Sequence, residues 1–194
     1  MRLPMTTPLQ VPGLRPILRA MAAAMLALAT GACSPEYDWR EARSEAGWTV
    51  LLPGRPSSAT RDIVLGDLPV KMTMQGARVG DTAFTVAAAV LPDAQPATQA
   101  RAIAAMREAL VRNIAGRETA ATAISVARVD GSGRRTGTAA GVAIEATGQV
   151  RGAPAQLRAR LVAHERHAVQ ALVVGPAIDR EQADTFFDSL RLHD

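Results

Sequence analysis

Aromatic residues are scarce in this chain. They make up 3% of it, and Tyr37, Trp39, Trp48, Phe84, Phe186 and Phe187 are the whole set. So few rings disfavour a platform that stacks bases or sugars. Lysine is rarer still, with Lys71 standing against 21 arginines. The pI near 10.4 follows from that bias, because arginine titrates far above lysine. Net charge is only +4, and Arg2, Arg15 and Arg19 fall before residue 33 with no acid among them. The rest is nearly neutral, with 19 basic against 18 acidic groups, and it has no basic block of the kind that phosphate backbones require. Nucleic acid is therefore not an expected partner. Long apolar runs are also lacking: the longest, Ala20 to Ala32, has 13 residues where a membrane span needs about 20. Cys33 is the only cysteine, which excludes an internal disulfide and a cysteine metal cluster. Hydrophobic and charged fractions of 48% and 21% are ordinary for a folded domain, and 194 residues allow one such domain with about thirty to spare.

The spare residues lie at the start. Arg15 and Arg19 precede the apolar run, and small residues follow it, the layout of a secretory signal that is cleaved. The run ends in Leu28-Ala-Thr-Gly-Ala-Cys33, which resembles the lipobox of bacterial lipoproteins, with Thr30 where that pattern usually has Leu or Val. The resemblance implies that Cys33 is acylated and becomes the mature N-terminus. Two or three acyl chains would anchor firmly, at about 0.8 kcal/mol per buried methylene. Ser34 follows the cysteine, and by the enterobacterial sorting pattern this favours the outer membrane over the inner. The expected organisation is a signal peptide at 1–32, a lipidated N-terminus and polar tether at 33–46, and one domain at 47–194.

From Trp48 onward the apolar residues alternate and turn residues recur, which predicts strands. Four fall at 48–52, 60–65, 70–75 and 84–90. The period then becomes helical, with Ile103, Met106, Leu110 and Ile114 on one stripe and Gly116 as a C-cap. Four more strands follow near 122–130, 142–151, 157–163 and 168–174, the last apolar on both faces like a central strand. Asp179, with Gln182 three residues on, predicts the start of a closing helix with Ala183, Phe186, Phe187 and Leu190 on its apolar stripe. The order ββββαββββα with short connections predicts an α+β fold, an antiparallel sheet of seven or eight strands. One face should take both helices, and the other, carrying Lys71, Glu145, Arg158 and Arg160, should be wet.

Trp48-Thr-Val-Leu-Leu-Pro-Gly-Arg-Pro56, the central helix, Gly137 through Glu145 and the terminal Ala183 to Arg191 resemble the PsbP-like superfamily. That resemblance implies an antiparallel sheet flanked by helices, and binding or scaffolding rather than catalysis. It supplies no active-site residues, so only the fold carries over.

The search for chemistry yields little. There is no nucleophile elbow, P-loop or dinucleotide fingerprint, and no nucleophile has an identifiable base. Asp130-Gly-Ser-Gly133 with Arg134 and Arg135 reads as an anion-binding turn or as a plain one. His164-Glu-Arg-His167 has a metal-like spacing, but alternation around it places Glu165 and Arg166 at a hairpin tip, and two imidazoles leave a metal site incomplete. No metal and no cofactor are expected. Arg158 and Arg160 read as an exposed basic row on a strand, either a solvated face whose charges deter association or the best candidates for partner binding. The expected function is a lipid-anchored, periplasm-facing module that binds or scaffolds another envelope protein without catalysis. The alternatives are a carrier that holds a lipid or other apolar ligand near Met72, Met74 and Met106, and an envelope hydrolase.

Overall fold

The structure, a computed structural model, describes residues 36–194. Its elements are β1 (Arg40–Ser44), β2 (Trp48–Leu52), β3 (Ser57–Leu65), β4 (Leu68–Val79), β5 (Thr82–Val90), α1 (Pro96–Asn113), β6 (Arg117–Val129), β7 (Arg135–Val150), β8 (Ala153–His164), β9 (His167–Gly175), α2 (Arg180–Asp188) and β10 (Arg191–His193). All ten strands belong to one sheet in the order β1-β2-β10-β6-β7-β8-β9-β5-β4-β3. Neighbours are antiparallel except β10, which lies parallel to β6.

This corrects the expected fold class. Strand makes up 58% of the described chain and only two helices accompany it, so the architecture is a mostly-β curled half-barrel of ten strands, not a PsbP-like α+β sheet of seven or eight. The two additional strands carry little alternation. β1 buries Ala42 alone, and β10 is three residues long and buries Leu192. Both form because the sheet offers them a ladder, with Arg40 to Ser44 pairing along β2 and Arg191 to His193 joining β2 to β6. The segment read as a polar tether is therefore part of the folded body from Tyr37 onward. Tyr37 and Trp39 stack on each other and meet Phe84 edge-on. The curl is visible in one contact: Gln75 on β4, next to one edge, donates to the Arg43 carbonyl on β1 at the other (3.0 Å).

The helices lie on opposite faces, which corrects the expectation that one face takes both. Along β8, Leu157, Ala159 and Leu161 pack with Ala102, Met106 and Leu110 of α1. Val162 instead joins the cluster that holds Ala183, Phe186 and Phe187 of α2 with Trp48, Leu52 and Phe84. Because successive side chains point to opposite faces, two helices can use the same strands. β9 shows this most clearly: Val169, Ala171 and Val173 serve the α2 side, and Ala168 serves the α1 side.

Local signals explain the helix ends. Pro96 occupies the first turn of α1, where a missing N–H costs nothing. The left-handed residue after α1 is Ala115 (φ 44°), one position before the expected glycine cap. At α2 the Asp179 carboxylate accepts from the Gln182 N–H (3.2 Å), as the sequence predicts.

Candidate functional site

A groove of about 920 Å3 opens between α1 and the sheet. Its floor is Ala140 and Val142 of β7 with Leu161 and Ala163 of β8, and its wall is Ala100, Ile103, Ala104 and Val111 of α1. The buried stripe of α1 is Thr98, Ala102, Met106 and Leu110. The groove-facing residues form a second apolar stripe beside it, so α1 seats on the sheet with one row and presents another to solvent. The floor stays low because β7 runs Gly137-Thr-Ala-Ala-Gly-Val-Ala143, nearly all small side chains.

The far end of α1 is pinned by close backbone approach. A Cβ at Gly148 of β7 would sit 2.2 Å from the Ile114 carbonyl oxygen and 2.7 Å from the Gly116 Cα, so only glycine admits the crossing. The Gln149 N–H donates to that same Ile114 oxygen.

Two ion pairs interrupt the apolar lining, Glu108–Arg112 along the exposed face of α1 (3.0 Å) and Arg107–Glu118 between helix and sheet. Arg107 on α1 grips Glu118 on β6 through both oxygens, its Nε 2.6 Å from Oε2. These hydrogen bonds hold the Glu118 carboxyl below the usual glutamate range and push Arg107 further up. The pair leaves neither charge free in the groove. It acts as a polar bar between helix and sheet, with side chains 41% and 26% exposed.

Arg158 and Arg160 were expected in an exposed row, and the structure turns them inward, with side chains 20% and 24% exposed. Arg158 pairs with Asp184 of α2 (2.9 Å) and Glu145 of β7 (3.3 Å), and Arg160 pairs with Asp188 (2.8 Å) and donates to the Phe187 carbonyl. Both guanidinium groups lie over the Phe187 ring at 5.6 and 5.2 Å. They clamp α2 to the concave side. Arg158 Nη1 is buried without a hydrogen-bond partner among the described residues, beside a hollow of about 220 Å3.

His164 and His167 flank the turn as the alternation predicts and face each other across the β8–β9 ladder. Their environments differ. His164 Nε2 lies 3.3 Å from the Asp194 carboxylate without a hydrogen bond to it, and that carboxylate accepts from Thr136 and Arg128 and is held low by them. His167 is pushed down chiefly by burial. Among the described residues no group of three or more His, Cys, Asp or Glu is placed to hold a metal. The Asp130 turn closes on itself: the Asp130 carboxylate accepts from the Ser132 N–H and hydroxyl and the Arg134 N–H, filling the place an anion would take.

The three methionines do not share a cavity. Met106 is 1% exposed in the α1 core, while Met74 is 43% exposed on β4. Cys33 lies outside the described residues, and among those described no helix is long and apolar enough to cross a membrane. Sequence reading missed the groove. The available signals were a run of small residues in a long strand and a second apolar row, Ala100, Ile103, Ala104 and Val111, on the one long helix.

No family model matches the chain, and no curated protein matches it. Among solved structures, a protein of unknown function from Pseudomonas aeruginosa is similar at 11% identity and a TM-score of 0.39, over 75% of this chain and 88% of that one. The immunity protein TplEi of the T6SS of Pseudomonas aeruginosa is similar at 10% identity and a TM-score of 0.38, over 89% of this chain and 83% of that one. At these scores neither likeness carries an argument about this chain.

Proposed function

We propose that the chain is a lipid-anchored protein of the bacterial envelope, facing the periplasm, whose folded body is a non-catalytic binding module for another envelope protein. The anchor is Cys33, read from the small-residue approach to a lone cysteine, and Ser34 favours the outer membrane. The observation that carries the binding role is the groove beside α1. Its volume lies in the range of ligand sites, about 300 to 1,000 Å3, but it is open along its length. A bound acyl chain would keep much of its surface in water there, whereas a protein segment brings its own polar face to cover the opening. This favours a protein ligand over the carrier reading. The described residues near the groove offer no nucleophile with a base, and their charges are paired as Arg107–Glu118 and Arg112–Glu108, which supports binding rather than hydrolysis.

Two measurements test the proposal. A palmitate analogue labels the wild type and not Cys33→Ala, and the variant leaves the carbonate-washed membrane fraction; an unlabelled wild type overturns the anchor. A photo-crosslinking residue at Ala104 in intact envelopes gives a discrete protein adduct that Val142→Trp, which fills the groove, removes while the variant still unfolds cooperatively with an unchanged circular dichroism spectrum. A near-stoichiometric co-purifying lipid in native mass spectrometry, displaced by the same Trp, would make the carrier the correct reading.

A further inference from the structure

The sheet has three free margins, and they are not alike. β1 ends it on one side with Arg40, Glu41 and Arg43 exposed along its length, and β3 ends it on the other with Arg61 and Asp62 at mid-strand. Charges at an edge deter pairing with another chain. The third margin lies inside the strand order. β10 covers only Ala127 to Val129 of β6, so among the described residues no strand pairs with the stretch from Arg117 to Val126 on the side away from β7. Thr119-Ala-Ala-Thr-Ala-Ile-Ser125 is uncharged, contains no proline, and is exposed at every position but Ile124. It is a seven-residue ladder margin without charge or proline, and its one guard is the register shift at Thr119, at its first residue.

We infer that this margin pairs with its own copy, β6 against β6 in antiparallel register, joining two chains into one continuous sheet. Three features favour a second copy as the occupant. Unpaired backbone N–H and C=O groups in an extended strand are satisfied geometrically by another strand, and an isologous pair satisfies both chains at once. The stretch is also its own complement. A two-fold axis through an antiparallel strand pair stands perpendicular to the sheet and sets one residue opposite itself. With Ala121 there, Ala120 meets Thr122 and Thr119 meets Ala123, while Arg117 and Glu118 lie beyond the register shift at Thr119, so no charge falls within the paired stretch.

The third feature concerns the groove. The same axis keeps corresponding faces of the two chains on one side, so α1 of both copies stands on the same side of the joined sheet. Ala121 and Ala123, which pair with Ile144 and Val142, carry the groove floor outward to the margin. In one chain the groove has a single helical wall. In the pair, the α1 of each copy supplies the wall that the other lacks. This inference rests on the strand pairing and stands whether or not the proposed function is correct.

Sedimentation and light scattering of the full chain, in detergent where it is acylated, are expected to show a dimer. Ala121→Lys, which sets two ammonium groups against each other, should raise the dissociation constant by about tenfold or more with the circular dichroism spectrum unchanged. In a Cys33→Ser background, Ala121→Cys should oxidise rapidly to a covalent dimer, and Asp62→Cys on the guarded β3 margin should not. A monomer at all concentrations, or a dimer indifferent to Ala121→Lys, overturns the inference. Should the lysine variant misfold, the cysteine pair decides: equal crosslinking at both positions, or at neither, counts against β6.

Discussion

The two faces of the sheet are packed on different plans. On the concave side Trp48, Phe84, Phe186 and Phe187 fill the space under α2, and Tyr37 and Trp39 close over it. On the other side α1 sits on Ala89, Ala146, Ala159 and Ala168 together with Leu91, Ile144, Leu157 and Leu161, and its core holds aliphatic groups and no ring. Rings fill volume in few residues and make a closed core. Alanines let a helix approach closely, but they leave the floor uncovered wherever the helix does not reach. The contrast shows how one sheet supplies both a stable interior and an open surface: its strands are shared, and the aromatic rings lie on one face alone.

The contrast breaks most severely through its closed side. Phe186→Ala should cost about 3 to 5 kcal/mol, because Phe186 is fully buried and contacts Phe84 and Phe187. Thermal or urea unfolding measures this, and a loss below about 1 kcal/mol would show that the concave core is not the main source of stability. Gly148→Ala comes next, at about 1 to 3 kcal/mol, since the new methyl must displace backbone where α1 meets β7. It should also loosen the groove, read as faster hydrogen exchange at residues 111–116 than in the Phe186 variant at matched stability.

The smallest effect comes from the Arg107–Glu118 bar. Arg107→Ala should cost about 0.5 to 1 kcal/mol at neutral pH, the range of a partly exposed pair. Its pH dependence sharpens the comparison. The folded Glu118 pKa is depressed, so the contribution of the pair is complete above the ordinary value near 4.5 and disappears as pH falls through the depressed one. Wild type and Arg107→Ala should therefore converge in acid. His167, depressed by burial, adds a separate loss for both proteins as pH falls below its ordinary 6.5, because the unfolded chain takes up the proton more readily. Urea titrations at a series of pH values test both. A gap between the two proteins that persists at low pH would remove Glu118 as the partner.

Much of the local structure was legible. Alternation located β2 to β9, the 3.6-residue stripe located α1, and the Asp179 cap located α2, because each element buries enough apolar side chains to leave a periodic trace. β1 and β10 leave none: Ala42 and Leu192 are their only fully buried residues, and their backbones are ordered by neighbours far away in sequence. Arg158 and Arg160 were placed on the correct strand, but charge was taken as a sign of water. Asp184, Asp188 and the Phe187 ring meet them instead, a pairing that no local pattern records.

The sequence alone determined the period and type of the main elements, the near-neutral charge of the body and the approach to Cys33. Each of these depends on residues close together along the chain. Tertiary structure decided which face each helix covers, how many strands the sheet recruits, and where it stays open. Those outcomes depend on side-chain volumes summed across strands that are distant in sequence. A helix settles where large groups fill the gap beneath it, and a groove remains where Ala140, Gly141 and Ala163 leave the floor low.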